Sequence, residues 1–171
     1  NKNDKVLGIH FRGTDYKTAA GHPFPPTKKI MFKFTKEIFN KYGYNKIFLV
    51  TEEIDYQEFF KKNFKKECFF YNSYRFHSNR EYYFSQRKNH DFLLGEEILV
   101  ETLILSKCDG LIDVETNVIS AAKFFKKKKI KFHKLYLGDN SKNKYIARFK
   151  WYLKKILPEN FGGFKVEQFS K

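Results

Sequence analysis

Residues 8–17, GIHFRGTDYK, join a hydrophobic strand to a group of polar side chains, and this junction decides the fold prediction. Apolar residues alternate here with His10 and Arg12. Because side chains two positions apart in a strand point to the same face, His10 and Arg12 share a face near the carboxyl end. Gly13 follows, and a glycine allows either a sharp turn or a close approach of a ligand to the backbone.

Arg12 is suited to bind a phosphate group. Its guanidinium is planar, offers paired donors and stays charged at every physiological pH. Asp15, three residues further on, is placed to hold that guanidinium in position. The alternative is an arginine–aspartate pair at a strand end with no ligand, and these residues alone do not choose between the two.

The rest of the chain alternates strand patterns with helix patterns. Strands are predicted at 5–11, 46–51, 67–72, 110–114 and 131–138, and helices at 25–43, 54–64, 91–108, 116–125 and 142–157. Thr27 is the expected N-cap of the first helix and Gly43 its stop. This alternation predicts one α/β domain, a Rossmann-like parallel sheet with helices on both faces. Residues 73–90 have no periodic pattern and are predicted to form a long functional loop.

In open α/β sheets, ligands bind beyond the carboxyl ends of the strands. The second strand ends in Thr51, Glu52 and Glu53. These carboxylates could accept hydrogen bonds from a base or a ribose. The alternative is that Thr51 caps the next helix and that the glutamates favour the positive end of its dipole.

Glu101 is a carboxylate in an apolar setting. On a helical wheel it falls in the middle of a stripe formed by Leu94, Ile98 and Leu105. A buried carboxylate is costly unless it is paired and hydrogen-bonded. Guanine offers two adjacent donors that a carboxylate can accept side by side. The alternative is a buried partner, such as a Lys or His, from a neighbouring element.

Thr116 and Asn117 stand between the fourth strand and its helix, and either could be the N-cap. The amides at a helix start, together with the helix dipole, favour a phosphate. Many helices begin in this way without a ligand, so this signal gains weight only from its position at the same sheet edge as Arg12.

The net charge of +15 raises the question of nucleic acid. However, 29 of the 34 basic residues are lysines, whereas base recognition depends on arginine. We therefore expect no nucleic-acid partner. The positive charge could instead attract phosphate-bearing ligands or an anionic membrane surface. The C-terminal helix carries a stripe of Tyr145, Phe149, Tyr152 and Ile156 among lysines, which could lie on a membrane surface or pack on its own domain.

Cys68 and Cys108 each lie in an apolar stretch, 40 positions apart. This placement favours two buried thiols over a disulfide and hence a reducing compartment such as the cytoplasm.

Taken together, residues 5–125 resemble the donor-binding half of a GT-B glycosyltransferase. The resemblance is to the fucosyltransferase family that includes the α1,6-fucosyltransferases and NodZ. It rests first on GIHFRGTD, which contains a His-x-Arg-x-Thr-Asp pattern and is followed by GHP. It rests also on three later stretches in this order: FLVTEE, ILVETLILSKCDGLI and TNVISAA. The chain has Gly13 where relatives often carry a second arginine and Tyr16 where many carry lysine. Because these charges are missing, the resemblance does not decide which sugar is transferred.

The resemblance implies transfer of a sugar, fucose by preference, from a GDP-sugar to a hydroxyl of a glycan acceptor. Arg12 would hold the β-phosphate, with His10 near the ribose or phosphate, Glu101 reading guanine, and Thr116 and Asn117 on the diphosphate. Gly13 and Glu53 complete the expected donor site, and Asp15 is the candidate catalytic base. The chain has no Asp-x-Asp motif, so no metal or other cofactor is expected.

A GT-B enzyme needs a second Rossmann-like domain for its acceptor, and its last helix commonly crosses to that half, so the resemblance gives the C-terminal helix this further alternative. The 171 residues have room for one such domain, so the other half is expected to lie outside this stretch. The alternative function is a non-catalytic α/β domain that binds a nucleotide or a phosphorylated ligand in the same pocket.

Overall fold

The computed structural model describes residues 4–13, 15–77 and 87–170. Its strands are β1 (Val6–His10), β2 (Lys46–Val50), β3 (Cys68–Phe69), β4 (Gly110–Asp113), β5 (Lys131–Tyr136) and β6 (Glu167–Ser170). Its helices are α1 (Lys28–Lys41), α2 (Ile54–Phe64), α3 (His90–Leu105), α4 (Asn117–Phe125) and α5 (Lys144–Ile156).

The strands form one sheet in the order β3-β2-β1-β4-β5-β6. The first five strands of this order are parallel, and β6 runs antiparallel to β5. The chain builds the sheet outward from β1 in one direction and then returns to add β4 on the other side of β1. This arrangement confirms the predicted Rossmann-like α/β fold and places the topological switch point between β1 and β4.

The sheet is covered on both faces, as predicted. One core combines Leu7 and Ile9 of β1 with apolar residues of α1, α2 and α5. The other combines Phe48 and Val50 of β2 with apolar residues of α3 and α4. Since neighbouring residues of a strand face opposite sides, His10 belongs to the face covered by α3 and α4.

The helix boundaries follow the predicted caps. Thr27 is the N-cap of α1, and its hydroxyl accepts a hydrogen bond from the amide of Ile30 at 3.3 Å. Gly43, just beyond the end of α1, has a φ of 64°, which only glycine adopts without strain. Glu53 is the N-cap of α2, and Thr51 Oγ1 accepts from the amide of Glu53 at 3.3 Å. Thr51 therefore orders the turn before α2, but the cap itself is Glu53 and not Thr51, the residue that the alternative named.

The bounds of several elements differ from the sequence prediction by a few residues, and one strand differs by its presence. The strand predicted at 67–72 is reduced to Cys68–Phe69, and α3 begins at His90 and ends at Leu105 instead of spanning 91–108. Strand β6 was not predicted, because a short polar segment at the chain end has no apolar alternation. Residues 78–86 of the predicted loop lie outside the described residues.

Cys68 and Cys108 are both buried thiols without a disulfide, as predicted. Burial raises the pKa of each thiol to about 12. In the described part of the chain, each helix is too short or too polar to cross a membrane.

Candidate functional site

The switch point brings the end of β1 next to the start of α4. His10 Nδ1 and Thr116 Oγ1 are 2.8 Å apart in a buried hydrogen bond. Burial, followed by the charges of Arg12 and Arg75, lowers the pKa of His10 to about 3. The imidazole is therefore neutral at pH 7 and serves there as a hydrogen-bonding group.

Arg12 lies just beyond β1 and is paired with Asp15, as predicted. Its Nη2 donates to Asp15 Oδ1 at 3.3 Å, and its guanidinium lies 4.5 Å from the ring centre of Tyr16. Arg12 Nε is buried and has no hydrogen-bond partner within the described ranges. Burial alone would lower the pKa of Arg12, but the charges of Glu52 and Asp15 outweigh it and raise the pKa overall.

Gly13 is a glycine because two side chains approach its backbone closely. A Cβ at this position would collide with Glu53 Oε1 and would lie 2.7 Å from the Tyr56 ring. The close approach is thus made by the start of α2. The expectation that a ligand also comes close to Gly13 stays a prediction.

Glu53 lies apart from the His10–Thr116 pair. Its Oε1 accepts from Lys17 Nζ at 3.1 Å, and it contributes to a cavity of about 650 Å³ together with Lys17, Lys28 and Trp151. Trp151 belongs to the core on the opposite face of the sheet from His10. A role for Glu53 in binding the donor stays a prediction.

Glu101 is 3% exposed, which confirms its predicted burial. Its Oε1 accepts from Arg75 Nη2 at 2.5 Å and from Ser73 Oγ at 2.6 Å. The structure thus shows the buried partner from a neighbouring segment that the alternative expected, and this partner is an arginine. Recognition of guanine by Glu101 stays a prediction, and Oε1 already accepts two hydrogen bonds.

Arg75 is the residue that the sequence analysis missed. Its side chain is 8% exposed, and its Nε is buried without a hydrogen-bond partner in the described part of the chain. It lies in the segment 73–90, where the absence of periodicity gave no sign of burial. The available signal was indirect, because a buried Glu101 requires a cation, and arginine was not considered as that cation.

The start of α4 has the predicted cap. Thr116 is buried and accepts from the amide of Ile119 at 3.3 Å, whereas Asn117 is exposed in the first turn. Glu115, in front of the cap, has a φ of 56° and pairs with Lys134 at 2.5 Å. The turn before α4 is therefore held in one conformation by local interactions.

The structure thus joins His10 to Thr116, places charged Arg12 and Arg75 near His10, and ties Glu101 to Arg75. Among the described residues, no three or more His, Cys, Asp or Glu side chains are grouped so that they could hold a metal ion. The expectation that the chain uses no metal stays a prediction.

No protein-family model and no curated protein matches the chain. Among solved structures, the NodZ α-1,6-fucosyltransferase co-crystallized with GDP is similar over 79% of this chain and 38% of its own, at 12% identity and a TM-score of 0.49. NodZ soaked with GDP-fucose is similar over 96% of this chain and 42% of its own, also at 12% identity and a TM-score of 0.49. Selenomethionine NodZ from Bradyrhizobium is similar over 79% and 38%, at 12% identity and a TM-score of 0.48. This chain spans about two-fifths of the length of these chains.

Proposed function

We propose that this chain binds a GDP-sugar, GDP-fucose in the first place, at the switch point between β1 and β4. It would be the donor-binding half of a glycosyltransferase of the GT-B class that needs no metal. The observation that carries the proposal is the hydrogen bond between His10 and Thr116. This bond joins the end of β1 to the first amides of α4, beside an Arg12 that has an unused buried donor.

The chemistry of this arrangement fits a departing diphosphate. When a glycosidic bond to a nucleoside diphosphate breaks, negative charge develops on the phosphate oxygens. In this proposal Arg12 and the amides at the start of α4 are the donors that face the developing charge, and fixed donors stabilise a transition state more than mobile water does. Asp15 is half exposed beside Arg12 and is our candidate for the acceptor-side base.

The acceptor would be bound by a second domain outside these 171 residues. A donor domain alone lacks the wall that positions the acceptor hydroxyl, and loss of positioning removes much of the rate. We therefore expect a longer protein that includes the second domain to turn over GDP-fucose, and the 171-residue chain to bind the donor without transferring it. Efficient transfer by the 171-residue chain would contradict the two-domain proposal.

Calorimetry with GDP and UDP, in the presence of EDTA, tests the donor proposal. GDP should bind, and UDP should bind much less well, because uracil lacks the adjacent donor pair that Glu101 is proposed to accept. Equal affinities for GDP and UDP would remove Glu101 as the reader of guanine. Tight donor binding without turnover by the longer protein would favour the alternative, a non-catalytic nucleotide-binding domain.

We also propose that α5 contacts an anionic membrane surface. Only Ala147 and Trp151 of this helix are buried, and Tyr145, Phe149 and Ile156 are 77%, 73% and 80% exposed on the side away from the domain. The helix carries five basic residues and no acidic one. Exposed aromatic residues flanked by lysines fit a surface of acidic lipids, whereas a second copy of the helix would bring like charges together.

A further inference from the structure

We propose that the switch-point site holds its ligand between two arginines, Arg12 and Arg75, and therefore selects a diphosphate over a single phosphate. This inference rests on the proposed function, since it specifies the ligand group that the same site binds. The argument depends on where Arg75 lies, which of its donors are used, and what surrounds it.

The backbone next to Arg75 extends the sheet beyond β2. The amide of Phe76 donates to the carbonyl of Glu52 at 3.0 Å, and the carbonyl of Phe76 accepts from the amide of Ile54 at 3.2 Å. These bonds hold residue 75 at the carboxyl edge of the sheet, beside the strand that neighbours β1. Arg75 contacts Glu101 and so lies on the α3 side of the sheet, which is also the side of His10.

The guanidinium of Arg75 is fixed but not saturated. Nη2 donates to Glu101 Oε1 and to the carbonyl of Tyr71 at 3.5 Å, and Nη1 donates to the carbonyl of Tyr74 at 3.2 Å. Nε is buried and lacks an acceptor within the described residues. A buried donor without a partner loses its bonds to water and gains nothing in return, so such a donor needs an explanation.

Arg12 shows the same feature. It pairs with Asp15 through Nη2, and its Nε is also buried without an acceptor in the described part of the chain. Both arginines lie close enough to His10 for their charges to lower its pKa. Two cations with one unused donor each therefore lie on the same side of the sheet as the neutral imidazole of His10.

A diphosphate fits this pair of donors. It offers two adjacent anionic groups, and an arginine binds each such group with short, charge-assisted hydrogen bonds. Residues 12 and 75 lie on opposite sides of the backbone that continues β2, two strand spacings or about 10 Å apart, so a diphosphate can reach toward both arginines more readily than a single phosphate. In this arrangement Glu101 is a positioning residue, which fixes Arg75 with the help of Ser73.

The experiment compares Arg75→Lys with a matched control, Arg87→Lys. Arg87 lies in the same segment and pairs with Glu97 of α3 at 2.7 Å, as Arg75 pairs with Glu101 of the same helix. Binding of GDP, GMP and guanosine to the 171-residue chain is measured by calorimetry. We expect Arg75→Lys to weaken GDP binding by about tenfold or more, to reduce the preference for GDP over GMP, and to leave guanosine unaffected. Arg87→Lys should change none of these affinities.

Unchanged GDP affinity and an unchanged preference for GDP over GMP in Arg75→Lys would overturn the proposal and leave Arg75 as a partner of Glu101 only. If Arg75→Lys does not fold, the double variant Arg75→Met/Glu101→Met replaces the buried pair with apolar side chains, which proteins often tolerate. Because Glu101 is also the proposed reader of guanine, this variant is compared with the wild type in its binding of inorganic pyrophosphate and phosphate. The variant must lose the preference for pyrophosphate over phosphate, and retention of that preference would also overturn the proposal.

The proposed function can fail separately from the two-arginine site. If the wild-type chain binds inorganic pyrophosphate but not GDP, and Arg75→Lys abolishes that binding, the nucleotide proposal is wrong and the two-arginine site stands. If the wild-type chain binds neither ligand, both proposals are wrong.

Discussion

The hydrogen bond between His10 and Thr116 connects residues that are 106 positions apart in the chain. It links the carboxyl end of β1 to the N-cap of α4, and the two atoms are 2.8 Å apart in a buried environment. Thr116 also accepts from the amide of Ile119, so one hydroxyl serves both the helix and the sheet. The geometry of the switch point depends on this side chain.

Replacing Thr116 with alanine should therefore cost more than removing an ordinary cap. Thr27→Ala is the matched control, because Thr27 caps α1 with the same 3.3 Å hydrogen bond but has no histidine attached. Loss of a cap costs about 1 kcal/mol. Leaving His10 Nδ1 unpaired should add about 1–3 kcal/mol for Thr116→Ala. Urea unfolding measures both values, and equal losses would show that the bond to His10 adds no stability.

The two buried histidines should make folding sensitive to mild acid. Burial is the main cause that lowers the pKa of His10 to about 3 and that of His133 to about 4. An unfolded histidine has a pKa of about 6.5, so the unfolded chain takes up protons first as the pH falls. Stability is then fully present above pH 6.5 and decreases as the pH falls toward 4 and then 3. The slope is at most about 1.4 kcal/mol per pH unit for each histidine.

Urea unfolding between pH 7 and pH 5 isolates this effect, because most carboxylates remain charged in that interval. His10→Asn should reduce the slope by about half, since His133 still contributes. His133→Asn should reduce it by about the same amount, so that the double variant keeps little of the slope. A wild-type slope near zero would show that both imidazoles are more accessible to protons than the structure indicates.

The proposed membrane contact of α5 is tested by vesicle flotation. The chain should float with vesicles that contain acidic phospholipid and should remain at the bottom with neutral vesicles, because the surrounding lysines need a negative surface. The double variant Phe149→Ser/Ile156→Ser should abolish flotation. Phe124→Ser is the control, since Phe124 is 84% exposed but lies on α4. Equal loss of flotation in both variants would indicate nonspecific adsorption of exposed apolar side chains to lipid, and not a specific contact through α5.

The fold could be predicted from sequence because each local signal agreed with the global arrangement. Buried strands such as 46–51 are bounded by polar turns, and Thr27 marks the start of α1 by a mechanism that depends only on nearby residues. The His10–Thr116 contact could be expected only through the parallel sheet, which brings both residues to one edge. Agreement of this kind between local and global preferences is typical of natural sequences.

Arg75 and the position of Glu53 could not be predicted in the same way. The burial of Arg75 depends on Phe76 pairing with the end of β2, and this pairing joins segments that no sequence period connects. Glu53 follows a strand end, as expected, but the single step from Glu52 to Glu53 decides which face of the sheet its side chain meets. Contacts between distant segments decide the first case, and the exact residue at which β2 gives way to the turn before α2 decides the second.

The most specific prediction concerns Arg12, whose Nε is buried without an acceptor among the described residues. If Arg12 binds the β-phosphate, Arg12→Lys should weaken GDP binding although the charge is kept, because lysine lacks the paired donors. Arg12→Ala should weaken it further, by about 1.5–3 kcal/mol. Guanosine, which has no phosphate, should bind equally well to all three proteins.

Calorimetry measures these affinities, and a thermal melt shows whether the variants fold. Suppose that Arg12→Ala lowers the melting temperature steeply and leaves the affinity for GDP unchanged. Arg12 would then be a structural partner of Asp15, and the end of β1 would not be a phosphate site.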